Sequence, residues 1–286
     1  MFLKFNHKAI FNFALAGMFT FGLISCEEEA PPINFTPDPV ALEDTTYISA
    51  TPVSPGLKSV LIEDFTGVRC TNCPKAQLEV KKILDRYGDT AVAIAMHPNT
   101  PGLNIFTSPI DIDFRTQEAG EVLNLIGVHN GLPYGSVDRI SNSADYLTWE
   151  GLYRNRKTAQ TGVNLRITRA EIDAATNEFV VGFEAAYYND FPGETHFYTI
   201  AFLESGIVNP QKDFGGEIPD YEHNHVLRQM PSFGAQLNSA DNLVKNRIFK
   251  KEFRFPINSA WIPQNMELVI MVHKSLEVLN AKKADF

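Results

Sequence analysis

The stretch from Val60 to Met96 constrains the fold most, because it sets two short apolar runs on either side of one helical period. Val60-Leu61-Ile62 opens a mostly apolar run to Phe65, the pattern of a strand covered on both faces. Thr66-Gly67 then breaks it. Ala76, Val80, Ile83, Leu84 and Tyr87 recur at helical spacing, with Lys75, Glu79, Lys82 and Asp85 elsewhere and Gly88 as a C-cap. Ala91 to Met96 is a second buried strand. A strand–helix–strand unit predicts a right-handed crossover and parallel pairing.

Cys70 and Cys73 stand where the first strand hands over to the helix. At a helix start, unpaired N–H groups and the positive end of the macrodipole favour a thiolate, the nucleophile of disulfide exchange. Arg69 adds a positive charge next to Cys70 in sequence, and Pro74 costs the first turn little because its missing donor would be unbonded there. Cys73, one turn in, is the more buried resolving thiol, and Cys70 is the attacker. Two other uses of the pair stay open. A bare staple closing about four residues gives only about 2 kcal/mol on the loop-entropy model, against about 4.7 for a hundred-residue loop. A zinc site needs more ligands than one pair, and His223 and His225 lie far from finger spacing. No metal and no cofactor is assigned.

The third and last cysteine, Cys26, closes an N-terminal export signal. Lys4 and Lys8 precede an apolar stretch, Ala9 to Ile24, which ends in Leu23-Ile24-Ser25-Cys26 and meets Glu27-Glu28-Glu29. Such a stretch is too short and too closely followed by charge for a membrane-spanning helix. Leu-Ile-Ser-Cys resembles the bacterial lipobox, which implies that residues 1–25 are removed and that Cys26 carries the lipid that holds the chain to a membrane. The net charge of −9, two units more negative without Lys4 and Lys8, excludes nucleic acid as a partner, since an acidic surface releases no counterions from phosphates. An exported chain lives where disulfides persist, but with so few cysteines, disulfides are not what holds this fold.

Residues 26–57 read as a tether, punctuated by Pro31, Pro32, Pro37, Pro39, Pro52 and Pro55, with Tyr47 to Ala50 able to add an edge strand. Residues 58–160 form an α/β domain and residues 161–286 an all-β, antiparallel, sandwich-like one. The first contains an irregular insertion, Met96 to Phe114, long enough to cover or flank the cysteines. It continues with helices over Phe114 to Ile126 and Tyr146 to Ala159, the latter packing Trp149, Leu152, Tyr153 and Arg156 on the sheet. In the second, alternation at Val163, Leu165 and Ile167 and the runs Phe179 to Tyr188, His196 to Leu203, Ile248 to Phe255 and Met266 to Val272 predict strands. His223 and His225 are expected to share one face of an extended segment.

Asp64-Phe-Thr-Gly-Val-Arg-Cys-Thr-Asn-Cys-Pro resembles the thioredoxin active-site segment, which implies a thioredoxin-like fold for the first domain. The resemblance implies that Asp64 is the buried acid exchanging protons with the resolving thiol, its pKa raised by burial. It implies also that Pro133, in Gly131-Leu132-Pro133-Tyr134-Gly135, is a cis-proline facing the cysteines, with Leu132 offering backbone groups to substrate. Thr71-Asn72 replaces the Gly-Pro of thioredoxins and Arg69 their usual tryptophan, which tells against ordinary thioredoxin reductase partnership. His129 nearby is given no role.

Together with the lipobox, that segment and Asp220-Tyr-Glu-His-Asn-His-Val-Leu-Arg228 resemble the Omp28-related outer-membrane lipoproteins. The resemblance implies an outer-membrane location, on the periplasmic or the cell-surface face, with Glu27 to Glu29 resembling a surface-export signal. Two functions follow from it. In one, the pair exchanges disulfides with thiol-containing envelope proteins, using Cys70, Cys73, Asp64, Pro133, Leu132 and Arg69. In the other, the protein is a non-enzymatic binder with a static disulfide.

Overall fold

The computed structural model describes residues 40–127, 131–238 and 242–286. The signal segment, Cys26, the start of the tether and His129 lie outside the described residues. In chain order, β1 (Val40–Ile48), β2 (Val60–Phe65), α1 (Cys73–Tyr87) and β3 (Ala91–Met96) are followed by α2 (Asn104–Thr107), α3 (Gln117–Ile126), β4 (Tyr134–Val137) and β5 (Ser141–Ser143). Next come α4 (Trp149–Lys157), β6 (Val163–Asp173), β7 (Glu178–Tyr187) and β8 (Phe197–Glu204). Short strands β9 (Ile207–Val208), β10 (Gln211–Asp213), β11 (Gly216–Ile218), β12 (Glu222–His223), β13 (Val226–Gln229) and β14 (Ala235–Gln236) precede β15 (Arg247–Pro256), β16 (Met266–Lys274) and β17 (Glu277–Asp285).

The fold is β-rich. Its main sheet runs β17-β16-β8-β13-β3-β2-β4-β5, with β14 beside β8, and a second sheet runs β1-β15-β7-β6. β2 and β3 pair in parallel from Val60–Ala91 to Phe65–Met96, as the strand–helix–strand pattern predicts. β4 lies antiparallel on the other side of β2. Within the stretch read as a tether, β1 is instead a full edge strand, paired along β15. Its backbone bonding capacity outweighs its weak apolar pattern.

The main sheet does not divide at residue 160. β13 joins the two halves, with Val226 opposite Ala95 on β3 and Leu227 opposite Leu203 on β8, and the Ala95 N–H donates to the His225 carbonyl at 2.8 Å. One core spans both halves on one face of this sheet: Leu61, Val92 and Ile94 pack with Val122 and Leu123 of α3 and with Leu203, Leu227 and Met271. The opposite face is covered by two different partners. Ile62, Ala93 and Val137 pack with Ala76, Val80 and Ile83 of α1 and with Trp149 and Tyr153 of α4. Further along, Ile200, Phe202, Leu268 and Ile270 pack with Phe179, Val181, Phe183 and Phe249 of the second sheet, which forms the sandwich. Trp149 lies so close to β4 that a Cβ on Gly135 would stand 2.1 Å from its ring, so that position admits only glycine.

Candidate functional site

α1 begins at Cys73, with Pro74 in its first turn, and Cys70 lies three residues before it rather than on the helix. The turn between them is closed by the Cys73 N–H donating to the Cys70 carbonyl (3.2 Å) and by Cys70 N–H donating to Gly67 carbonyl (3.0 Å). The two cysteines form a disulfide. Cys70 is only 1% exposed and Cys73 0%, so neither sulfur is at the surface.

Two segments bury them. The insertion brings α2 against the cysteine loop: the Phe106 carbonyl accepts from the Arg69 N–H (2.8 Å) and fills the space a Cβ on Gly67 would need, at 2.3 Å. The Arg69 guanidinium donates to the carbonyls of Ser108 (3.1 Å) and Pro109 (3.0 Å), so it ties down the insertion. From the other side comes the β10–β11 hairpin. The buried Gln211 amide donates to the carbonyls of Gly67 and Cys70 (3.2 Å each), and the Lys212 N–H donates to the Val68 carbonyl (2.8 Å). Lys75 of α1 reaches over the Phe214 ring at 4.5 Å. Sequence reasoning found the insertion and missed the hairpin, since residues 211–218 have no pattern that points to the cysteines.

The Leu132–Pro133 peptide bond is cis. Pro133 is buried, and Leu132 packs beside Phe106 on the core of α3. Gly131 lies 3.9 Å, measured from an added Cβ, from the Phe106 ring, so Phe106 of α2 touches both the cysteine loop and the Pro133 turn.

Asp64 and its neighbour Glu63 point to opposite faces of β2. Glu63 accepts a two-pronged hydrogen bond from Arg139 (Nε 3.0 Å, Nη2 2.8 Å), both side chains buried. Asp64 is 2% exposed, and neither carboxylate oxygen has a hydrogen-bond partner among the described residues. Burial without compensation disfavours its charged form and pushes its pKa up to about 8, so it is neutral at pH 7. It faces a cavity of about 910 Å³ bordered by α1 and β3.

His223 and His225 do not share a face. His225 adopts a left-handed backbone (φ 56°), which turns the chain between them. His223 is buried, its Nε2–H donates to the Asn209 carbonyl (3.0 Å), and its ring lies 4.9 Å from Phe114. His225 instead pairs with Glu267 at 2.9 Å. A third histidine, His97, is buried against Phe114, and burial, followed by the nearby His223, lowers its pKa to about 3. Among the described residues no cluster of three or more His, Cys, Asp or Glu could hold a metal ion.

The family model of outer membrane protein Omp28 matches residues 123–286, more than half of the chain and beyond both cysteines. HBP35 of Porphyromonas gingivalis superposes with a TM-score of 0.63 at 16% identity, over 82% of this chain and 77% of that one. Protein AGR_C_4864 of Agrobacterium tumefaciens gives 0.52 at 12% identity, over 81% of this chain and 96% of that one. At such identities these likenesses show the fold alone. No curated protein matches the chain. Among the described residues no helix is long and apolar enough to cross a membrane.

Proposed function

We propose, from the premise that the chain belongs to the Omp28 family of outer membrane proteins, that it is an envelope binding protein built on a thioredoxin-like scaffold with a permanently closed disulfide. Cys26 is its lipid anchor to the outer membrane. The observation that carries this reading is the burial of the disulfide, with Cys70 at 1% exposure and Cys73 at 0%. Thiol–disulfide exchange requires an incoming thiolate to reach one sulfur, and access governs its rate. Here the approach is covered by α2 on one side and by Gln211 and its hairpin on the other.

A second reading rests on Asp64. A buried neutral acid on the α1 side of β2 suits proton exchange with a resolving thiol. In that reading the hairpin lifts, and a client thiolate attacks the Cys70 sulfur and breaks its bond to Cys73, which leaves as a thiol carrying the Asp64 proton. A second client thiolate then displaces Cys70, so the client is oxidised to a disulfide and the pair reduced, with Leu132, Pro133 and Arg69 bordering the client.

The deciding experiment is thiol trapping of the full chain across a redox-buffer series. A pair still oxidised below about −300 mV is the expected result. A midpoint between about −120 and −270 mV, with mixed disulfides accumulating on Cys73→Ser protein in cells, would overturn it in favour of exchange.

A further inference from the structure

The cavity beside Asp64 is lined by neither cysteine. Its floor is Ala91, Ala93 and Ala95, alternate residues of β3 that present their side chains to one face. Four strand steps make that floor roughly 13 Å long. Three methyl groups leave open a space that larger side chains would fill. At about 910 Å³ it falls within the range of small-molecule sites, which are mostly apolar with a few placed polar groups.

The polar groups stand at its two ends. Asp64 closes the end at Ala95, its register partner in the sheet, and is buried with both oxygens unpartnered among the described residues. Near Ala91 stands Lys282, half-buried, its Nζ donating to Ser59 Oγ at 2.7 Å. The other lysines of the wall are neutralised: Lys81 pairs with Asp85 (2.8 Å) and Lys283 with Glu267 (3.2 Å). Among the described residues Lys282 forms no ion pair within 4 Å. Burial holds its ammonium below its usual pKa, outweighing the attraction of Asp89, also on the wall, which acts on it from farther away. An anion there would restore the stabilisation that burial removes.

We propose that this cavity binds an elongated amphiphile, its carboxylate at Lys282, its aliphatic chain over Ala91, Ala93 and Ala95, and a hydroxyl or carbonyl oxygen at Asp64. A protonated carboxyl donates one hydrogen bond and accepts others, so a ligand hydroxyl meets both capacities. The carboxylate replaces bulk water as the partner of Lys282, and the chain takes apolar area out of water.

The site deepens the binding-protein reading and rests on it. The test is calorimetric titration of 10-hydroxydecanoate and of decanoate into the full chain carrying Cys26→Ser, which keeps it free of lipid and of competing detergent. Saturable binding is expected, tighter for 10-hydroxydecanoate. Lys282→Met should weaken both by about tenfold or more, while Asp64→Leu should erase the preference between them. Ala93→Phe should abolish both, and thermal melting confirms that each variant is folded. No saturable heat, or binding that Lys282→Met leaves unchanged, overturns the proposal. A closed disulfide without ligand binding refutes this site alone. Ligand binding by a chain whose disulfide exchanges readily refutes the closed-disulfide reading alone.

Discussion

The two faces of β2 bury adjacent carboxylates in opposite ways. On the α3 face Glu63 meets Arg139 through paired hydrogen bonds, and neither side chain reaches solvent. On the α1 face Asp64 meets no donor among the described residues and borders a cavity. A buried carboxylate can stay charged only where a cation and hydrogen bonds replace water; otherwise it keeps its proton. The first arrangement locks β2 to the turn after β4, where Asp138 also holds Lys58 (2.9 Å) and the Leu61 N–H (3.0 Å). The second leaves hydrogen-bonding capacity unused, which stabilises nothing by itself and is available to a ligand or to a thiol.

That contrast can be broken experimentally, and the largest effect should come from the paired side. Glu63→Ala leaves Arg139 buried without its partner and should cost about 3–5 kcal/mol in urea unfolding. The double change Glu63→Met with Arg139→Met should recover most of that loss. If the single variant is near neutral, the pair is not the lock described.

On the unpaired side the sign reverses. The folded pKa of Asp64, about 8, lies above its ordinary value of 3.8. Both states hold the proton below about pH 4. Between about pH 4 and 8 the unfolded chain loses it and the native one does not, so stability falls as pH rises, and above pH 8 the cost is constant. Asp64→Asn should therefore flatten this slope, raising stability by several kcal/mol at pH 8 and by little at pH 4. Unfolding curves at the two pH values, showing an unchanged slope in the variant, would place a compensating donor at Asp64.

A smaller effect should come from the roof over the disulfide. Gln211→Ala removes hydrogen bonds to the Gly67 and Cys70 carbonyls and should cost about 1–2 kcal/mol. It should also speed reduction by dithiothreitol, followed by alkylation; an unchanged rate would mean that the hairpin is not the barrier. The smallest change is a surface control. Lys81→Ala breaks an exposed pair with Asp85 one helical turn away and should shift stability by only about 0.3–0.5 kcal/mol, read from the melting temperature.

Much of this architecture is local and therefore legible in the sequence. Alternation placed Glu63 and Asp64 on opposite faces, and helical spacing of Ala76, Val80 and Ile83 placed α1 on the sheet. The long strands β6, β7, β8, β15 and β16 follow from runs of apolar and alternating residues. β17 was not legible, because Lys282 and Lys283 interrupt its apolar pattern, yet it pairs along the whole of β16. Nor was the separation of His223 from His225, which depends on a left-handed turn at a residue that is not glycine.

By itself, then, the sequence determined which segments become strands and helices and which face each residue takes, because periods of two and 3.6 residues are properties of the backbone. Only the tertiary structure decided that Val226 would sit opposite Ala95 and make one sheet of two expected domains. Only it decided that Gln211, 141 residues from Cys70, would cap the disulfide, and that Lys282 and Asp64 would face one cavity. Those contacts join edges and loops far apart in the chain, where no periodicity connects the partners and the outcome depends on which surfaces are left to cover after the local elements have formed.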